Sequence, residues 1–106
     1  MELQSGEKYQ LADLIEYKSG SIISTRVRNN RSTSITLFSF DSGQELTEHT
    51  SPFEALVTIL DGSAKISIEG KPYHLASGDL ILLPANVPHS VFAERQFSML
   101  LTIIKE

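Results

Sequence analysis

Two histidines, His49 and His89, stand 40 positions apart, each among residues that turn the chain. Gly43 and Gly62 bracket the first, while Gly78, Pro84 and Pro88 lead into the second. An imidazole titrates near neutral pH, and its unprotonated nitrogen can accept a hydrogen bond, take a proton or ligate a metal. Two imidazoles brought together therefore suit a small-molecule pocket, a metal site or a general base. Ser51 adds a hydroxyl beside His49, and Glu45 and Glu48 lie just before it, where a carboxylate could reach inward to complete a metal shell. With no cysteine in the chain, disulfides, thiolate metal sites and cysteine nucleophiles are excluded. Any metal must be held by nitrogen and oxygen.

The elements that position these residues read as strands. Gln10 to Tyr17 places Leu11, Leu14 and Ile15 at helical spacing, enough for a turn or two serving as a lid or cap. From Gly20 the pattern changes. Ser21 to Arg28 and Ser34 to Phe40 are rich in β-branched and aromatic residues around the turn-forming Asn29-Asn30, which predicts an N-terminal hairpin. After a loop carrying His49, the run Phe53 to Leu60 is apolar on both faces, as a strand buried on both sides would be. Its odd set (Phe53, Val57, Ile59) and even set (Leu56, Leu60) must divide between the interior and an opposing sheet or partner, and parity alone does not say which lines the pocket. Ser63 to Glu69 alternates cleanly, and strands follow at Tyr73 to Leu75, Leu80 to Pro84, Ser90 to Ala93 and Phe97 to Ile104. Short strands with regular glycine turns predict an all-β jelly roll of one domain spanning residues 1–106. Gly43, Gly62, Gly70 and Gly78 shape turns and bind nothing. Pro84 and Pro88 stiffen the segment that aims His89. His74, on the strand face opposite Tyr73 and Leu75, is expected to face solvent and receives no role.

Composition narrows the partners. A net charge of −4 with nine Lys and Arg in 106 residues leaves no basic cluster for nucleic acid. No run approaches the roughly 20 apolar residues of a membrane span, and the polar start lacks a secretory h-region, so the expected location is cytoplasmic. Asn30-Arg31-Ser32 matches a glycosylation sequon but reads as an inter-strand turn. A β-protein of this size often pairs to cover apolar surface, so a homodimer is expected.

Gly43-x5-His49-x-Ser51 running to Gly62, followed by Gly78-x5-Pro84-x-Asn86-x2-His89, resembles the paired motifs of the cupin superfamily. EHTSPFEALVTILDG and LLPANVPHSV are similar to the small bacterial cupin 2 conserved-barrel proteins in particular. The resemblance implies a double-stranded β-helix, a jelly roll of six to eight strands, commonly a homodimer with its pocket at one open end. It also implies a metal set of two histidines and a glutamate from the first motif and one histidine from the second. His49 and His89 match the first and last of these. Ser51 stands in place of the second histidine and Ala55 in place of the glutamate, so half the set is missing. Glu54 is adjacent, but alternation turns it away unless a bulge shifts the register.

Two readings follow in the first rank. One is a barrel binding a small molecule in a pocket containing His49, Ser51 and His89. The other is a metal-dependent dioxygenase, isomerase or decarboxylase in which His49 and His89, with Glu45, Glu48 or water, hold manganese, iron, nickel, copper or zinc. A metal-free enzyme using either histidine as general base is a third. A purely structural or protein-binding role is the fourth, and it has no need of two histidines converging on a barrel mouth.

Overall fold

The alternation that begins after Gly20 is realised as nine antiparallel strands in a computed structural model that describes residues 2–105. A helical turn, α1 (Leu11–Leu14), precedes β1 (Ile22–Asn29), β2 (Thr33–Phe40), β3 (Glu45–His49), β4 (Glu54–Asp61), β5 (Ser63–Ile68), β6 (Lys71–Ala76), β7 (Leu80–Leu83), β8 (His89–Ala93) and β9 (Phe97–Ile104). A five-stranded sheet in the order β1-β2-β9-β4-β7 faces a four-stranded sheet in the order β3-β8-β5-β6. Because neighbours in each sheet are mostly not neighbours in sequence, the chain crosses repeatedly between layers, which is the jelly-roll path. In the β1–β2 turn the Asn30 side-chain oxygen accepts the Ser32 and Thr33 N–H groups at 3.0 Å each, so the sequon is occupied by turn formation.

The core settles which parity faces inward. Ala55, Val57 and Ile59 of β4 are buried with Phe40, Phe97, Met99 and, from the other sheet, Ala64, Ile66, Val91 and Ala93. Leu56 and Leu60 lie on the outer face, and Phe53 precedes the strand and stays exposed. The Phe40 and Phe97 rings stack at 4.5 Å between centroids. Their strands place them directly opposite one another in the β2–β9 ladder. That makes the pair the anchor of the five-stranded sheet's inner layer.

One expectation changes here. The stretch leading to His49 is a strand and not a loop: β3 is an edge strand with only Leu46 half-buried, held by pairing with β8. The expected N-terminal helical turn is present at Leu11–Leu14. Leu11, Ala12 and Ile15 line a cleft with Leu60 and Asp61, where the Tyr17 hydroxyl donates to Asp61 at 2.7 Å. Burial, with the Asp61 carboxylate adding to it and the Ser98 hydroxyl opposing, pushes that phenol up to about 12. Since β4 ends at Asp61 and β5 runs back from Ser63 to Ile68, the level of His89, this contact lies at the opposite end of the barrel from the histidine pair.

Candidate functional site

β3 and β8 bring His49 and His89 directly opposite one another as Cα partners. A register irregularity between Leu46 and His49 adds one residue to β3 and keeps His49 on the same face as Leu46, the face that packs on the core. The two rings meet edge to face, with centroids 4.5 Å apart. His89 is buried, at 6% exposure, while His49 is exposed, so the pair forms a short path from solvent to interior. The expected juxtaposition of two motifs is thereby realised as a single rung of one ladder.

Backbone contacts fix the protons. His49 Nδ1 lies 2.8 Å from the Thr47 carbonyl oxygen, and His89 Nδ1 lies 3.2 Å from that of Val87. A carbonyl only accepts, so each Nδ1 must donate, and each Nε2 of the neutral ring keeps its lone pair. In both cases the carbonyl belongs to the residue two positions earlier. This is a local device that orients the ring before anything binds. Pro88 and the left-handed Asn86, at φ 62°, shape the approach to His89, and Asn86 N–H donates to the Ser51 carbonyl at 2.7 Å. The two motif loops are joined by that bond.

Ser51 is already engaged, since its Oγ accepts the Phe53 N–H at 3.2 Å. Ala55, in the position of the missing glutamate, points inward, and Glu54 pairs with Ile104 on the outer face. Glu45 pairs with Phe92, on the face away from Leu46, and Glu48 is exposed. Neither joins the histidines, for no group of three His, Cys, Asp or Glu side chains arranged to hold a metal occurs among the described residues. Catalytic first-row metal sites generally take three protein ligands, so this donor set does not fit a tightly held metal. His74 is solvent-facing as expected, its ring hydrogen-bonded through Nδ1 to Glu94 at 2.9 Å. Sequence reasoning missed a cavity of about 640 Å³ lined by Glu2, Ser24, Arg26, Thr36 and Phe38. Its signal, a polar stripe along the inner face of β1, is visible only once the register is known.

Burial holds the His89 pKa below the usual value of 6.5, with the neighbouring His49 acting in the same direction and the Val87 carbonyl opposing. As pH falls through about 6.5 the unfolded chain gains a proton that the folded chain resists, so folding stability is full above that pH and declines below it. The decline levels off once folded His89 itself titrates. Urea unfolding at a series of pH values should show this loss in the wild type and a smaller one in His89→Gln. An identical pH slope in both proteins would remove His89 as its source.

Residues 36–104 match the family model described as the cupin domain. The chain belongs to the cupin family. A conserved protein of unknown function from Streptococcus pyogenes is 35% identical over 98% of this cupin and 91% of its own chain, with a TM-score of 0.91. A cupin 2 conserved-barrel protein from Leptotrichia buccalis is 41% identical over 92% of this chain, with a TM-score of 0.88, but only 47% of its own chain is covered. A cupin superfamily protein from Desulfitobacterium hafniense is 27% identical over 98% of this chain and 95% of its own, with a TM-score of 0.90. Among curated proteins no match was found. No helix among the described residues is long and apolar enough to cross a membrane.

Proposed function

We propose that this cupin binds a small polar molecule at the open end of its barrel, using the Nε2 atoms of His49 and His89 as paired acceptors. The observation that carries the reading is the shared orientation device: both Nδ1 atoms are bound to backbone carbonyls, which reserves both Nε2 lone pairs for a guest. A ligand bearing hydroxyl, amide or ammonium donors suits such a pair. Leu46, Ile68 and Val91, which neighbour the pair in the ladder, would offer its body an apolar surface. The metal-dependent enzyme reading would use the same lone pairs but needs a third donor.

Elemental analysis of untagged protein separates the two. The binding reading predicts metal far below one equivalent in the wild type and in the His49→Ala, His89→Ala double variant. Near-stoichiometric metal that disappears in the variant would replace it with the metal-enzyme reading.

The homodimer belongs to the same proposal. Leu80, Leu82 and Ile104 are 63%, 47% and 40% exposed and share the outer face of the five-stranded sheet, where Leu82 pairs with Leu56 and Ile104 with Glu54. Apolar exposure gathered on one sheet face suits an association surface. Sedimentation should give the mass of two 11.7 kDa chains, reduced to one by Leu80→Glu with Leu82→Glu. A wild type that sediments as a single chain would refute the dimer.

A further inference from the structure

We propose that the inner face of β1 and β2 carries a second binding site, for the carboxylate of a small organic acid, with Arg26 as its anion-binding residue. Ile22 packs on the core, and alternation then puts Ser24 and Arg26 on the same inward face. Their Cα partners on β2 are Phe38 and Thr36, and Phe38 also packs on the core. Ser24 and Arg26 are both exposed, so beyond Ile22 this face opens to solvent as a polar groove. These four residues, with Glu2, line the cavity of about 640 Å³, within the size range of small-molecule sites. Neither His49 nor His89 is among them.

The Arg26 guanidinium has no side-chain hydrogen bond or ion pair to any described residue; the one ion pair among those residues joins His74 and Glu94. Glu2 therefore lies beyond ion-pair distance and leaves the charge of Arg26 uncompensated. The Glu2 carboxylate is instead tied at the rim, where Oε1 accepts the Asn29 N–H at 2.9 Å. A bulge falls between Arg26 and Arg28, and such bulges re-aim side chains. The carbonyl of the intervening Val27 accepts the Leu3 N–H at 3.2 Å, which anchors the N-terminal segment over the irregularity. A planar guanidinium beside two hydroxyls favours a carboxylate held by two parallel bonds, and the Phe38 ring offers an apolar face to the rest of the ligand. Glu2 disfavours a second negative charge at its rim, so the ligand is singly charged.

The test is a ¹H–¹⁵N NMR titration of the whole chain with benzoate, its neutral analogue benzamide, and inorganic phosphate. Benzoate should shift the amides of Ser24, Arg26, Thr36 and Phe38 saturably, with a dissociation constant on the order of 1 mM for so small a probe. Benzamide and phosphate should bind at least about tenfold more weakly, as should benzoate to Arg26→Gln. Arg26→Lys should lose less, Glu2→Gln should bind benzoate more tightly, and the His49→Ala, His89→Ala variant should bind it unchanged. Undiminished binding to Arg26→Gln, equal binding of benzamide, equal binding of phosphate, shifts centred on the histidines, or no saturable shift would each overturn the proposal.

Discussion

Phe97→Ala is expected to cost about 4 kcal/mol, the range for emptying a fully buried aromatic site, with the lost ring stacking included. Phe97 is 0% exposed and stacks on Phe40, also 0% exposed, at 4.5 Å and an interplanar angle of 20°. Phe97 lies on β9, which is laddered to β2 on one side and β4 on the other, so collapse into the resulting void is restricted. A domain of this size commonly has only about 5–15 kcal/mol in total, so the variant should lie near the edge of folding. In urea the midpoint should fall by roughly 2 M. A loss below about 1 kcal/mol would mean that the two rings do not anchor the core.

Gly62→Ala should be nearly as damaging, at about 3 kcal/mol, although glycine contributes no side chain to the core. Its φ is +75°, and a Cβ there would stand 1.8 Å from the Gln96 carbonyl oxygen and 2.8 Å from the Phe97 Cα. Both obstacles are backbone, which a rotamer change cannot move. Gly43 and Gly78 have similar φ values, +84° and +93°, but open space where the Cβ would go. Alanine at either should cost only the left-handed penalty of about 1 kcal/mol. Equal losses at Gly62 and Gly78 in urea unfolding would remove the close approach as the cause. Because Gly62 touches the backbone of Phe97, the Gly62 and Phe97 effects should fail to add.

The contrast between these glycines marks where sequence reading stops. Spacing and residue type placed all four at turns, because the positive φ of a tight turn is a local requirement. The contact between Gly62 and residues 96 and 97 is non-local and leaves no trace in the turn itself. The jelly roll was legible for similar reasons: most strands carry apolar alternation or an apolar run, and the β4–β9 register continues unbroken from Glu54 to Ile59. That continuity is why alternation correctly set Glu54 on the face opposite Ala55, since the one register shift in this ladder falls later, between Ile59 and Asp61. β3 was invisible because ELTEH has one inward apolar residue, Leu46, and owes its strand geometry to β8.

The site was legible only in outline. The two motifs pointed to His49 and His89, but their meeting on one rung depends on the extra residue between Leu46 and His49, which no propensity reveals. The occupation of Ser51 Oγ by the Phe53 N–H and the outward placement of Glu45 likewise follow from turn and register geometry. Arg26 escaped notice because an exposed arginine in a polar-looking strand reads as a solvated charge until Ile22, on the same face of β1, is found against the core.

The central claim is that His49 and His89 together receive a small molecule. It is tested most directly by screening a library of polar metabolites by thermal shift against the wild type and the His49→Ala, His89→Ala variant in parallel. The account predicts compounds that raise the melting temperature of the wild type and leave the folded double variant unmoved. Compounds that stabilise both proteins equally, or a wild type that responds to none, would contradict it.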